Sequence, residues 1–160
     1  MLNNSKITST VFLLSSTVAL IFAYILQYFF NILPCKLCIY ERIVFYVVAV
    51  LSVLCLIKEY KALIYIMFCS YLIGIIISFY HIGIEAGWFQ DIIGCTEQIN
   101  NNITIEELRN SLLNTHRLPS CDRGYYVLGL SLATWNLLYL LIILLISVRI
   151  YFRGRRKEIT

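Results

Sequence analysis

The sequence predicts an all-α integral membrane fold, a four-helix transmembrane bundle with a long outer loop that carries a short amphipathic helix. The chain has 160 residues, of which 60% are hydrophobic and 14% charged, a balance too apolar for a soluble domain of this size. Four runs approach the roughly 20 apolar residues needed to cross a hydrocarbon core: about Val11 to Phe30, Ile39 to Ile57, Ala62 to Ile84 and Tyr126 to Val148. The links at Asn31 to Cys38 and Lys58 to Lys61 are so short that neighbouring helices must pack antiparallel, within a single membrane domain over residues 1–160.

The first run is uncharged and longer than a signal-peptide core of about 7 to 15 residues, with no small-x-small cleavage site after it, so it reads as a retained helix. The second carries Glu41 and Arg42 in its first turn. Small residues mark the faces that helices in lipid use for close approach: Ser15, Ala19 and Ala23 on the first helix, Ser70, Gly74 and Ser78 on the third, Gly129 and Ala133 on the fourth. The segment from about Glu85 to Tyr125 is too long for a plain connector. Within it Thr104 and Glu107 form a capping box, and Ile105, Leu108 and Leu112 recur at helical spacing. That predicts a short amphipathic helix on the outer membrane surface, with Trp88 and Phe89 as interfacial anchors.

Lys and Arg in short flanks stay on the cytoplasmic side. With both termini inside, the inner segments hold Lys6, Lys58, Lys61, Arg149, Arg153, Arg155, Arg156 and Lys157. The outer loops, about 31–38 and 85–125, then hold Lys36, Arg109, Arg117 and Arg123, diluted by Glu85, Asp91, Glu97, Glu106, Glu107 and Asp122. The basic C-terminal cluster is a topological anchor beside a spanning helix, so the net charge of +4 implies no nucleic-acid partner.

This orientation puts four cysteines on the outer side. Cys35 and Cys38 form a C-x-x-C at the start of the second helix, and Cys95 and Cys121 lie in the long loop. A helix N-terminus favours an anion, so Cys38 is expected to ionise readily, helped by Arg42 one turn on and opposed by Glu41 if it points the same way. A C-x-x-C disulfide closes a very small ring, which suits a labile working bond. Two bland readings compete: the four thiolates could hold zinc, although Cys95 and Cys121 lack the tight spacing of a zinc ribbon, or the pairs could be structural disulfides. Cys55 and Cys69 read as small hydrophobes inside their helices. His81 and Glu85 are one turn apart at the outer end of the third helix, where an ionisable residue points to function or to an interhelical hydrogen bond. Asn136 reads as interhelical glue.

Three blocks carry a resemblance: Pro34-Cys35-Lys36-Leu37-Cys38-Ile39-Tyr40-Glu41-Arg42, then Tyr80-His81-Ile82-Gly83-Ile84-Glu85 leading to Cys95, then Cys121-Asp122 followed by Leu128-Gly129-Leu130-Ser131. Together they resemble the disulfide bond formation protein B (DsbB) family, quinone-linked thiol oxidases of the bacterial inner membrane. The resemblance implies that Cys95 forms a mixed disulfide with a periplasmic DsbA-like thioredoxin-fold oxidase and that Cys121 is its partner. It further implies that Cys35 exchanges with Cys121, that Cys38 faces the quinone (ubiquinone or menaquinone), and that Arg42 and His81 contact the quinone ring. The loop around Asn100 to Asn102 departs from the family, and only its cysteines carry over. Two further readings are a quinone reductase of the vitamin K epoxide reductase type, which places its C-x-x-C late in the chain, and a non-catalytic tetraspan protein with structural loop disulfides.

Overall fold

The computed structural model describes residues 2–58, 60–95 and 119–156. Its helices are α1 (Leu2–Tyr28), α2 (Lys36–Ile57), α3 (Lys61–Glu85) and α4 (Leu132–Arg156), with a two-stranded hairpin, β1 (Tyr126–Val127) and β2 (Leu130–Ser131), before α4. All four helices are long and apolar enough to cross a membrane. Each packs against its neighbour in the chain and α4 closes back on α1, giving an antiparallel four-helix membrane bundle. The amphipathic helix expected around Ile105 to Leu112 lies outside the described residues.

In lipid the backbone must satisfy its own hydrogen bonds, and apolar side chains need no burial against protein. Leu14, Val50, Ile76 and Leu145 accordingly face outward. Helix contact then rests on close packing and on hydroxyl bonds. Phe12, Phe45, Val48, Met67, Tyr71 and Leu140 fill the centre. Ser15 Oγ lies 2.7 Å from Tyr71 OH, and Tyr139 OH donates to the Ser15 carbonyl at 2.8 Å, joining α1 to α3 and α4. Asn136 Nδ2 donates to Ser78 Oγ at 2.9 Å, the interhelical bond its position suggested. Gly74 is where three helices crowd, since a Cβ there would lie 3.2 Å from Val44 Cγ1 and 3.3 Å from Leu140 Cδ1.

Two expectations are corrected. The fourth helix begins at Leu132, not Tyr126, because Leu128 (φ 53°) and Gly129 (φ 81°) turn the chain into a tight hairpin with Tyr126 opposite Ser131. Gly129 is therefore a turn residue and packs no helix face. Ser131 Oγ then accepts the Thr134 N–H at 3.2 Å and caps the helix, while Trp135 Nε1 donates to the Val127 carbonyl at 3.0 Å. Cys55 is buried as expected, but Cys69 is exposed on the outer face of α3 and packs into no core.

Leu at position 74 would overpack this three-helix contact. Gly74→Leu should cost about 1–3 kcal/mol, read as a lower unfolding midpoint in detergent; an unchanged midpoint would show that the three helices do not meet there.

Candidate functional site: the sulfur cluster at the mouth of α2

Pro34 biases the preceding residue toward extended backbone, and Cys35 is itself extended, at φ −74° and ψ 174°. Cys35 caps α2, its Sγ accepting the Cys38 backbone N–H at 3.3 Å. The helix thus starts at Lys36, before the apolar run begins, and Cys38 falls inside the first turn. The two sulfurs are 3.1 Å apart. The Cys38 N–H and His81 Nε2, at 3.5 Å, also converge on the Cys35 sulfur, so three polar groups surround it. The Cys38 thiol is the main cause that pulls the Cys35 thiol down to about 4; burial opposes it, and the hydrogen bond and charge of His81 add to it. The helix N-terminus and Arg42 lead one to expect the thiolate at Cys38. The donors gather on Cys35 instead, since Cys35 holds the cap position.

His81 is 3% exposed and joins α3 to α2. Its Nδ1 lies 3.2 Å from Glu41 Oε1 of α2, and its Nε2 lies 3.7 Å from Glu85 Oε1 one turn along α3. Glu85 also takes a hydrogen bond from Ser131, the cap of α4, and a Cβ at Gly124 would press within 2.9 Å of its Oε1. Glu41 is hydrogen-bonded to His81. Arg42 turns the other way: it donates to Gln27 Oε1 and, at 3.2 Å, to the Ala23 carbonyl, with its guanidinium 5.3 Å from the Tyr24 ring centroid. It is anchored to α1.

Cys95 and Cys121 form a disulfide with Cα atoms 5.5 Å apart. Both are buried in one cluster with Cys35, Leu37 and Ile84, so the second pair lies against the first and is not held apart from it on the loop. The sulfurs of Cys35 and Cys121 and a ring nitrogen of His81 lie within 4.8 Å of one another. The approach to Cys95 is shaped by the end of α3. Gly87 (φ 71°) reverses the chain, and the Gly83 carbonyl accepts the Trp88 and Phe89 N–H groups at 2.7 and 3.2 Å. The Phe89 ring stacks on Tyr80 against Gly83, where a Cβ would collide with it. Trp88 stays exposed at this end of the bundle. The Asp91 carboxylate accepts the Cys95 N–H, Lys36 Nζ donates to the Gly94 carbonyl, and the Cys121 N–H donates to the Cys95 carbonyl at 3.1 Å.

Beneath the sulfurs a cavity of about 370 Å³ runs into the bundle. Phe22, Leu26, Phe45, Trp135 and Tyr139 supply apolar walls, and Cys35, Cys38, Glu41, Arg42, His81 and Glu85 line it as well. Among the expected site residues the structure brings together Cys35, Cys38, Cys95, Cys121 and His81, with Arg42 on the cavity wall. Sequence reasoning missed Glu41 as the partner of His81, Ser131 as the partner of Glu85, and Gln27 as the anchor of Arg42. No local pattern links positions so far apart in the chain.

A family model described as "Disulfide bond formation protein DsbB" matches residues 5–150. The chain is 28% identical over 158 residues to "Uncharacterized protein RP370" of Rickettsia prowazekii (strain Madrid E), covering 96% of this chain and 91% of that relative. No solved structure matches.

The Cys35 value lies below its ordinary 9.0, so the stability this thiolate contributes is complete above 9.0 and is lost as pH falls through about 4. With Cys35 and Cys38 reduced, Cys95–Cys121 intact and Cys55 and Cys69 changed to Ser, thiolate ultraviolet absorbance should therefore disappear with a midpoint near 4. A first loss of absorbance near 9.0 would contradict the donor arrangement around Cys35.

Proposed function

The chain belongs to the disulfide bond formation protein DsbB family, and from that membership we propose that it is a bacterial inner-membrane thiol oxidase. On this reading it reoxidises a periplasmic DsbA-like thioredoxin-fold protein and passes the electrons through its two cysteine pairs to membrane quinone. The observation that carries the reading is the stacking of both pairs at the mouth of an apolar cavity, with Cys35, Cys38 and Cys121 close enough for successive exchange. The basic flanks at Lys58, Arg149 and Arg153 support cytoplasmic termini and a periplasmic sulfur cluster.

The closeness of the sulfurs supports the following order of thiol steps. A partner thiolate attacks Cys95, the Cys95–Cys121 bond breaks, and Cys121 leaves with the electron pair as a thiolate. The Cys121 thiolate attacks the Cys35–Cys38 disulfide at Cys35, so the Cys35–Cys121 bond forms and Cys38 leaves as a thiolate on the cavity wall. Cys95 then displaces Cys35 from Cys121 after the partner has closed its own disulfide, which returns the loop pair and leaves Cys35 and Cys38 reduced.

The cavity suits a quinone: its walls are mostly apolar, and the polar groups lie near the sulfurs, where a ring carbonyl needs donors. Arg42 and His81 are the residues we assign to hold the ring, with Arg42 fixed by Gln27 and the Ala23 carbonyl. A bound quinone supplies a sink for two electrons and two protons. Ubiquinone and menaquinone both fit this description.

Cys38→Ala should abolish quinone reduction, and Cys95→Ala should abolish reaction with the reduced soluble partner while leaving Cys35 and Cys38 oxidisable by added quinone. Quinone absorbance with purified protein, a reduced thioredoxin-fold oxidase and a soluble quinone measures both, and wild-type rates in either variant would sink these roles.

A further inference from the structure

Glu41 and Glu85 have no part in the thiol steps above, yet both carboxylates are buried at the reacting sulfur, their side chains 9% and 7% exposed. Glu41 is hydrogen-bonded to Nδ1 of the His81 imidazole, and Glu85 lies within ion-pair distance of its Nε2. Burying two carboxylates beside a thiol is costly unless each finds a donor. An ionised carboxylate can only accept, so the ring meets Glu41 as an Nδ1–H donor at 3.2 Å. With the ring protonated at both nitrogens, Nε2–H is a second donor, facing Cys35 Sγ at 3.5 Å and Glu85 Oε1 at 3.7 Å.

We propose that Cys35, His81 and Glu41 form a nucleophile–imidazole–carboxylate triad that makes Cys35 the leaving thiolate in exchange with Cys121, with Glu85 as the alternative partner of His81 Nε2. The proposal rests on the Cys35–Cys121 exchange given above and assigns Glu41 and Glu85 as positioning residues. The arrangement follows the logic by which a carboxylate fixes the tautomer and orientation of an imidazole that serves a neighbouring nucleophile. The exchange balances without any added reactant. The Cys95 thiolate attacks Cys121 Sγ in the Cys35–Cys121 disulfide, the Cys95–Cys121 bond forms, the Cys35–Cys121 bond breaks, and the electron pair stays on Cys35. The Nε2–H of the doubly protonated ring then bonds to that sulfur, and when Cys35 next enters a disulfide the same N–H turns to Glu85.

The groups facing the triad come from every neighbouring element. Cys38 and Glu41 lie on α2 and Glu85 on α3; Ser131 caps α4, Cys121 and Arg123 precede the hairpin, and Arg42 is tied to α1. A bland alternative is a Glu41–His81 bond that only joins α2 to α3. The two readings differ in the titration of Cys35.

The test follows carboxamidomethylation of Cys35 by iodoacetamide, located by peptide mass, in full-length protein with Cys35 and Cys38 reduced and Cys95–Cys121 intact. Wild type should react at a pH-independent rate across about pH 5 to 8, because Cys35 is already ionised there. Glu41→Gln should move the midpoint upward and slow Cys35 about tenfold at neutral pH for each unit by which the midpoint exceeds neutrality. The full rate should return at alkaline pH, and Glu41→Asp should restore part of the loss. Glu85→Gln should leave the midpoint closer to wild type and slow the return of Cys35 to the disulfide with Cys121. An unchanged midpoint in Glu41→Gln, or slowing that is equal at every pH, would overturn the triad. Loss of quinone reduction with the Cys35 titration intact would instead count against the quinone reading alone.

Discussion

Cys35 does two things with one sulfur: it closes the N-terminus of α2 by accepting the Cys38 N–H, and it faces His81 and Cys121. The unpaired N–H groups of a first helical turn carry partial positive charge and need an acceptor. Filling that place with a sulfur couples the start of a spanning helix to the chemistry at its mouth. Had α2 begun at Ile39, as the apolar run suggests, Cys35 would lie outside the first turn. The position of Cys38, the path of Arg42 toward α1 and the turn of Glu41 toward α3 all follow from the helix starting at Lys36.

The same constraint organises the polar groups around the cavity. Inside a membrane bundle an ionisable side chain is tolerated only where it meets a partner or lines a cavity. Arg42 reaches Gln27 and the Ala23 carbonyl, His81 reaches Glu41, and Glu85 reaches Ser131. Each of these contacts spans two segments of the chain, so the polar mouth ties the bundle together where the link between α1 and α2 is shortest. Deeper in the bundle the work passes to hydroxyls and small residues, at Ser15, Tyr71, Tyr139 and Gly74.

Much of this was legible in the chain. Helices able to span lipid announce themselves by apolar length, because hydrocarbon leaves the backbone no other partner. The C-x-x-C and the His81–Glu85 turn are local patterns and were read as such. What escaped was set by contacts between distant segments or by single dihedral angles. Glu41 meets a residue 40 positions away, and Arg42 one 15 positions back on a different helix. Tyr126 to Ser131 looks like the start of an apolar helix, and only the left-handed backbone at Leu128 and Gly129 reveals the hairpin. The burial of Cys95 and Cys121 against Cys35 depends on how the loop folds back over the mouth, which cysteine spacing cannot show.

The cap at Cys35 has a thermodynamic side. A sulfur with a negative charge accepts the Cys38 N–H and the His81 ring more strongly than the same sulfur does within a disulfide. Folding therefore favours the dithiol over the disulfide by the difference between those bonds. In a closed cycle that difference appears as a higher reduction potential for the Cys35–Cys38 couple, making its oxidised form the better electron acceptor. The residue that ends the turn out of α1 thus helps to set the potential of the cysteine pair it belongs to.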